Sequence, residues 1–174
     1  MAKLRRAVAY RRIERPYTRK SKYRSKQYVR ATPNNKIVKY EMGNLTKKFD
    51  YKVLIKANAD IQIRHNALES GRLTSNRLLE KVCGKQGYNL KLRVYPHHIL
   101  RENPLAAGAG ADRMSTGMKK SFGKSIGLAA QLSKGQALFE ASVDESFLET
   151  AKKAMNRVKH KMPCSCKLEI IKNN

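Results

Sequence analysis

Gly123, Lys124 and Ser125 stand in the order that closes a phosphate-binding loop, with Gly117 upstream of them. The motif G-x-x-x-x-G-K-[ST] works because its spacing turns backbone N–H groups inward around a phosphate chain. Five residues intervene here instead of four, so other N–H groups would face inward and the cradle is not expected to form. Gly108 and Gly110 begin a dinucleotide fingerprint, but Arg113 stands where its last glycine belongs. His160, Cys164 and Cys166 could supply metal ligands, and Cys-Ser-Cys at a strand entry puts both thiols on one face. Structural zinc usually takes four ligands and no fourth is evident, so these read as small residues entering a strand. Cys83, at the end of a helical pattern, reads as core. His97 and His98 would need an orienting carboxylate to act together. Glu102 is the nearest acid, and adjacent strand residues face opposite ways, so packing or RNA contact is favoured for both. No paired carboxylates stand out among the 13 acids. No metal, no cofactor and no enzymatic activity are expected.

What the chain does supply is positive charge. Of its 174 residues, 38 are Lys or Arg, for a net charge of +25. A domain with that excess repels itself and favours a polyanionic partner. Nucleic acid is the first candidate and an anionic membrane surface the second. No apolar run approaches the ~20 residues that span a bilayer, so no membrane association is expected. The N-terminus lacks the apolar region of a signal peptide, although a basic tail alone does not exclude an import presequence. Three cysteines without framework spacing fit a reducing compartment, and a cytoplasmic location is expected.

The cations are concentrated. Residues 1–30 hold twelve (Lys3, Arg5, Arg6, Arg11, Arg12, Arg15, Arg19, Lys20, Lys22, Arg24, Lys26 and Arg30) against Glu14 alone. Tyr10, Tyr17, Tyr23 and Tyr28 are interleaved with them, and no apolar period of two or 3.6 is visible. Arg pairs with phosphate and exposed bases stack on aromatic rings, a combination suited to RNA. The bland alternative is a solvated basic tail. Either way the segment is expected to order only on binding. A second concentration lies within Arg101–Ser125. Between Ala106 and Ala111 no side chain exceeds a methyl group, which offers little burial for its backbone entropy. Arg113, Lys119, Lys120 and Lys124 then arrive among Ser, Thr and Gly, groups suited to phosphate contact. This pattern predicts a reaching loop ordered by a polyanion.

The elements that would hold these segments are read from periodicity. Lys36–Asn44 looks like a short extended segment ending in a turn at Gly43 and Asn44. Tyr51, Val53, Ile55, Ala57, Ala59, Ile61 and Ile63 alternate, a half-buried strand broken near Asn58. Leu68, Gly71, Ser75, Leu78 or Leu79, and Val82 recur at helical steps. Asn66 and Glu69 are spaced as a capping box, and Gly84 suits the stop. Gly71 inside that helix implies close packing. Leu90, Leu92 and Val94 form a strand that Pro96 interrupts or places at an edge. After the loop, Ile126, Leu128, Ala130 and Leu132 share one face and Ala137, Phe139, Ala141 and Val143 another, with a turn at Ser133–Gln136, which predicts a hairpin. Asp144 and Ser146 are both plausible N-caps, with Ser146 and Glu149 spaced as a capping box. Phe147, Leu148, Ala151, Met155 and Val158 form the stripe of a second helix, closed by Pro163, and Cys166, Leu168 and Ile170 alternate as a last strand. The prediction is a single α+β domain at residues 36–174, of two similar strand–helix–strand halves on an antiparallel or mixed sheet, with a basic extension at 1–35 and an internal loop at 101–125.

Several stretches resemble one family closely. Arg15–Arg19 (Arg-Pro-Tyr-Thr-Arg), Lys36-Ile37 with Met42–Asn44, Cys83–Lys85 with Gly87-Tyr88, and above all Ala109–Met118 followed by Phe122–Lys124 are similar to the universal large-subunit ribosomal protein L-sixteen family, in its archaeal and eukaryotic L-ten-e form. The resemblance runs in order along nearly the whole chain. It implies a structural constituent of the large ribosomal subunit, without catalytic activity, bound to large-subunit rRNA at the base of the central protuberance. It also implies neighbouring large-subunit proteins and 5S rRNA as partners, no homo-oligomer, and a loop that points toward the peptidyl transferase centre and helps position tRNA. By position, the rRNA contacts fall on Lys3, Arg5, Arg6, Arg11, Arg12, Arg15, Tyr17, Arg19, Lys20, Lys22, Arg24, Lys26, Lys119, Lys120 and Lys124. The loop contacts near tRNA fall on Arg101, Gly108, Gly110, Asp112, Arg113, Met114, Thr116 and Gly117.

Two departures from the family pattern stand out. Tyr28–Pro33 lacks the glycine common before that proline. The sequence ends at Asn174 without the long eukaryotic C-terminal extension, so an archaeal type is expected. The rivals from other classes are a nucleotide-using RNA enzyme, motivated by the near P-loop, and a non-ribosomal RNA chaperone.

Overall fold

The structure, a computed structural model, describes residues 5–19, 21–29, 31–103 and 123–173. Eight strands and two α-helices are present among them: β1 (Glu41–Gly43), β2 (Tyr51–Ala57), β3 (Ile61–Arg64), α1 (His65–Cys83), β4 (Tyr88–Leu92), β5 (His98–Glu102), β6 (Lys124–Leu132), β7 (Ala137–Val143), α2 (Leu148–Lys159) and β8 (Cys166–Lys172). They form an α+β domain with two sheets. The larger has the order β1-β4-β7-β2-β8 and the smaller β3-β6-β5, and every paired neighbour is antiparallel.

The two halves interleave. β2 and β4 both pair with β7, while β7 and β8 both pair with β2. Each strand–helix–strand unit is therefore split by a strand of the other, and neither half can complete its sheet alone. The register lines up the core. Ile55 and Leu92 both lie opposite Phe139, and Val53 and Leu90 both lie opposite Ala141. All six are buried. The helices cover this face with Leu68 and Leu79 from α1 and Ala151, Ala154, Met155 and Val158 from α2. Gly71 is the point of closest approach. A Cβ there would lie 2.9 Å from Met162 Cε and 3.3 Å from both Phe139 and Val158, which is the packing the mid-helix glycine implied.

Three expectations are corrected. The hairpin is absent: β6 pairs with β3 and β5, whereas β7 pairs with β2 and β4. The chain makes the tight turn, with Gly135 at φ +84° and Gln136 N–H donating to Ser133 O at 3.1 Å, but it passes from one sheet to the other. The same happens between β2 and β3, so the long alternating segment is two strands in two sheets. Neither capping box forms. α1 begins at His65 after Arg64 and α2 at Leu148 after Phe147, without side-chain caps. Glu69 instead binds Arg72, with Arg72 Nε and Nη2 donating to its two oxygens at 2.8 and 2.5 Å, and Glu149 binds Lys152. Val82 is 49 % exposed rather than part of the stripe, whose buried members include Arg72.

Candidate nucleic-acid interface

The small sheet is the platform for both basic segments. Its two outer strands are β3 and β5, and an uncovered strand edge presents unpaired backbone groups. The N-terminal extension supplies partners to both. Gln62 N–H donates to Arg11 O at 2.9 Å on β3, and Ile99 N–H donates to Tyr17 O at 3.2 Å on β5. Beside these points two glutamines hold the passing backbone. Gln62 Nε2 donates to Tyr10 O and Gln131 Nε2 to Glu14 O, both at 2.9 Å, and Gln131 Nε2 also reaches Gln62 Oε1 at 3.0 Å. Val29 is buried with Ile99 and Leu128, with Tyr17 packed against them. The expectation that this extension orders only on binding is therefore corrected for its described residues. Backbone carbonyls and a few buried side chains tie it down, and neither leaves a period in the sequence.

His98 fixes one of these ties. It is buried, and its Nδ1 accepts the Tyr17 N–H at 2.9 Å, so that nitrogen carries no proton. His97 is exposed and its ring lies 4.5 Å from that of Tyr95, so the two histidines do face apart. Burial, more than the nearby Arg101 charge and against the pull of Glu14, holds the His98 pKa below its ordinary value. The unfolded state then binds more protons, so this group costs stability as pH falls through the ordinary histidine range. Buried His65, whose pKa is lowered chiefly by burial, acts with the same sign. Thermal unfolding from pH 8 to pH 5 should show falling stability, and His98→Ala, though less stable throughout, should flatten that fall. An equally steep profile in the variant would place the titrating group elsewhere.

Glu102, at the end of β5, joins the extension to the root of the loop. Its carboxylate accepts from Tyr10 Oη at 2.7 Å and pairs with Arg5 Nη2 at 2.6 Å. Burial first, and then this hydrogen bond and charge, push the Tyr10 pKa up to about 12. Across the ladder Glu102 pairs with Lys124, and Arg101 with Ser125. Arg101, Glu102, Lys124 and Ser125 are thus strand residues, a correction to the loop bounds of 101–125. Gly123 allows the closure. A Cβ there would lie 2.5 Å from Glu102 O and 2.6 Å from its N, and backbone cannot yield as a side chain can. Gly123→Val should lose about 1–3 kcal/mol and speed amide exchange at residues 100–102 and 124–126. Unchanged exchange there would contradict the tight root.

Around this frame the cations face outward. Arg5, Arg6, Arg11, Arg12, Arg15, Arg19, Lys22, Arg24, Lys26 and Lys124 are all exposed. Among the described residues, Arg6, Arg11, Arg12, Arg15 and Arg24 have no carboxylate within salt-bridge distance. The tyrosines divide into two pairs. Tyr23 and Tyr28 are 58 % and 63 % exposed, flanked by Lys22, Lys26 and Arg19 over their rings. Tyr10 and Tyr17 are half-buried, with Arg64 5.1 Å above one ring and Arg101 3.8 Å above the other. Lys3, Lys20, Gly108, Gly110, Asp112, Arg113, Met114, Thr116, Gly117, Lys119 and Lys120 lie outside the described residues, as does Arg30. Gln62, Gln131 and Glu102 were missed by sequence reasoning. Gln62 is buried and Gln131 half-buried, and no local spacing in the sequence marks either.

Other chemistry is sparse. Cys164 and Cys166 bring their sulfurs to 3.7 Å, as the strand-entry spacing implied. The described residues hold no cluster of three or more His, Cys, Asp or Glu side chains arranged to bind a metal. No helix among them is long and apolar enough to cross a membrane.

Comparison with known proteins finds a family and close relatives. A family profile described as ribosomal protein L16p/L10e matches residues 14–169. A large ribosomal subunit protein uL16 from Methanococcus maripaludis is 48 % identical over 170 residues, covering 97 % of this chain and 95 % of the relative. The uL16 protein of Methanococcus aeolicus is 45 % identical over 177 residues, covering 98 % and 99 %. That of Methanocella arvoryzae is 45 % identical over 141 residues, covering 81 % and 82 %.

Proposed function

Since the chain belongs to the L16p/L10e family of ribosomal proteins, we propose that it is a structural constituent of the large ribosomal subunit, bound to large-subunit rRNA through its N-terminal extension and the root of its internal loop. The observation that carries this reading is a row of exposed arginines (Arg6, Arg11, Arg12, Arg15 and Arg24), without a carboxylate partner among the described residues, on an extension that the small sheet already holds in place. A pre-ordered cationic surface neutralises phosphates without the cost of ordering its own backbone at the moment of binding. The loop between Glu102 and Gly123 reaches toward tRNA near the peptidyl transferase centre. Its Gly and Ala permit close backbone approach to RNA, and Arg113 contacts phosphate. Neighbouring large-subunit proteins and 5S rRNA complete its surroundings in the cytoplasmic ribosome. The protein performs no catalysis; the chemistry beside it belongs to RNA.

Sedimentation of a cell extract through a sucrose gradient tests the assignment. The chain should travel with the large-subunit peak and with whole ribosomes. Its recovery only in the light fractions would favour a free RNA chaperone. Measurable ATP or GTP affinity that Lys124→Ala abolishes would favour a nucleotide-using enzyme.

A further inference from the structure

Beside the Glu102 junction lies a cavity of about 160 Å³, bounded by the start of α1, by β5 and β6, and by the extension. Two buried polar atoms of residues that line it have no hydrogen-bond partner among the described residues. His65 is 8 % exposed, yet its Nδ1 has no hydrogen-bond partner among the described residues, and neither has the buried Oδ1 of Asn66. These are the first two residues of a 19-residue helix whose N-terminus receives no side-chain cap. The N–H groups of a helix's first turn have no partner within the helix either. Leu100 and Leu128 give the cavity an apolar wall. On another wall is Tyr10, with the Arg64 guanidinium 5.1 Å from the centre of its ring.

Resting on the rRNA-binding reading above, we propose that this cavity receives one unpaired nucleobase of large-subunit rRNA, extruded from its helix. Size and chemistry select that occupant. The volume is well below the ~300–1,000 Å³ of sites for drug-sized ligands, and suits a single flat heterocycle. A phosphate gains little here, because the Glu102 carboxylate lines the cavity and already holds Arg5, while Arg64 lies over the Tyr10 ring. A base edge carries both donors and acceptors, and the Asn66 amide answers both. The neutral His65 ring supplies a further donor or acceptor, and Tyr10 with Arg64 offers a surface for stacking. The site is reachable from outside, since Ile126 on its wall is 47 % exposed and the Arg5 side chain 50 %.

The test is base-specific chemical probing of large-subunit rRNA bound to the full chain, using dimethyl sulfate and a carbodiimide. The wild-type chain should protect one unpaired base by roughly tenfold, the scale of one stacking contact. Two variants address the cavity. At Gly127 a Cβ would meet only the His65 ring, at 3.7 Å, so Gly127→Leu places its remaining carbons in the cavity. Asn66→Ala removes the amide and keeps the fold testable should the leucine disturb it. Both should restore reactivity of that base, while hydroxyl-radical protection of the rRNA backbone and the salt dependence of binding stay as in the wild type. The proposal is overturned if the wild-type chain protects the backbone but no single base, or if protection persists in both variants. Loss of backbone protection by the wild-type chain itself would instead overturn the rRNA-binding reading.

Discussion

Replacing Arg6, Arg11, Arg12, Arg15, Arg19 and Arg24 together by alanine is expected to reduce rRNA affinity by on the order of 10³-fold near physiological salt and to flatten its salt dependence by about 5 in the slope of log K against log salt. Each phosphate contact releases condensed counterions, and each contributes about 0.9 to that slope on duplex and about 0.7 on single strands. The fold should survive, because these residues serve it through backbone atoms. The oxygens of Arg6, Arg11, Arg19 and Arg24 accept from Ala9, Gln62, Val29 and Gln27, and alanine keeps all four bonds. All six side chains are exposed. Six lysines at the same positions should restore the slope but only part of the affinity, because guanidinium binds phosphate in a fork that ammonium lacks. A slope equal to wild type in the alanine variant, measured by filter binding across a salt series, would show that these arginines do not touch phosphate.

The second large effect is on stability. Glu69→Ala should cost about 3–5 kcal/mol, because it strands a buried guanidinium. The Arg72 and Glu69 side chains are 8 % and 14 % exposed, and Arg72 also reaches Met42 Sδ at 3.0 Å. Arg72→Met should cost much less, since it removes the charge that needed the partner. The Arg72 guanidinium holds the Glu69 carboxyl below the usual carboxylate range. The pair's contribution is therefore complete above that range and is lost as pH falls through the lowered value. Equal costs for the two substitutions in urea titrations would mean that the pair stabilises through packing alone.

That Arg72 lies inside the helix stripe, and that Glu69 serves it rather than a cap, marks where sequence patterns stop being informative. Alternation at Val53, Ile55 and Ala57 and helical steps through Leu68 and Leu79 are local consequences of backbone geometry, so strands, helices and buried faces were legible. Sheet membership was not. β6 and β7 are joined by a turn that a hairpin would also use, and only pairing with distant strands decides between one sheet and two. A capping box is equally ambiguous, because Glu69 and Glu149 each have a basic residue three positions on, and pairing with it leaves the helix start uncapped. At the interface, the arginine density pointed to a polyanion, and the family motifs in 109–118 pointed to a ribosome. The docking of the extension through Gln62, Gln131, His98 and Glu102 was illegible. Those groups bind backbone or single side chains far away in sequence, and no short-range spacing encodes such contacts.

The interface can be tested without perturbing the chain. Lysine acetylation and arginine modification can be quantified by mass spectrometry on the isolated chain and on intact large subunits. Arg6, Arg11, Arg12, Arg15, Lys22, Arg24, Lys26 and Lys124 are exposed in the free chain and should react readily there. In the subunit they should be protected as a group, and stripping the subunit with high salt should restore their reactivity. Equal reactivity of these residues in the free chain and in the assembled subunit would contradict the claim that this face binds rRNA.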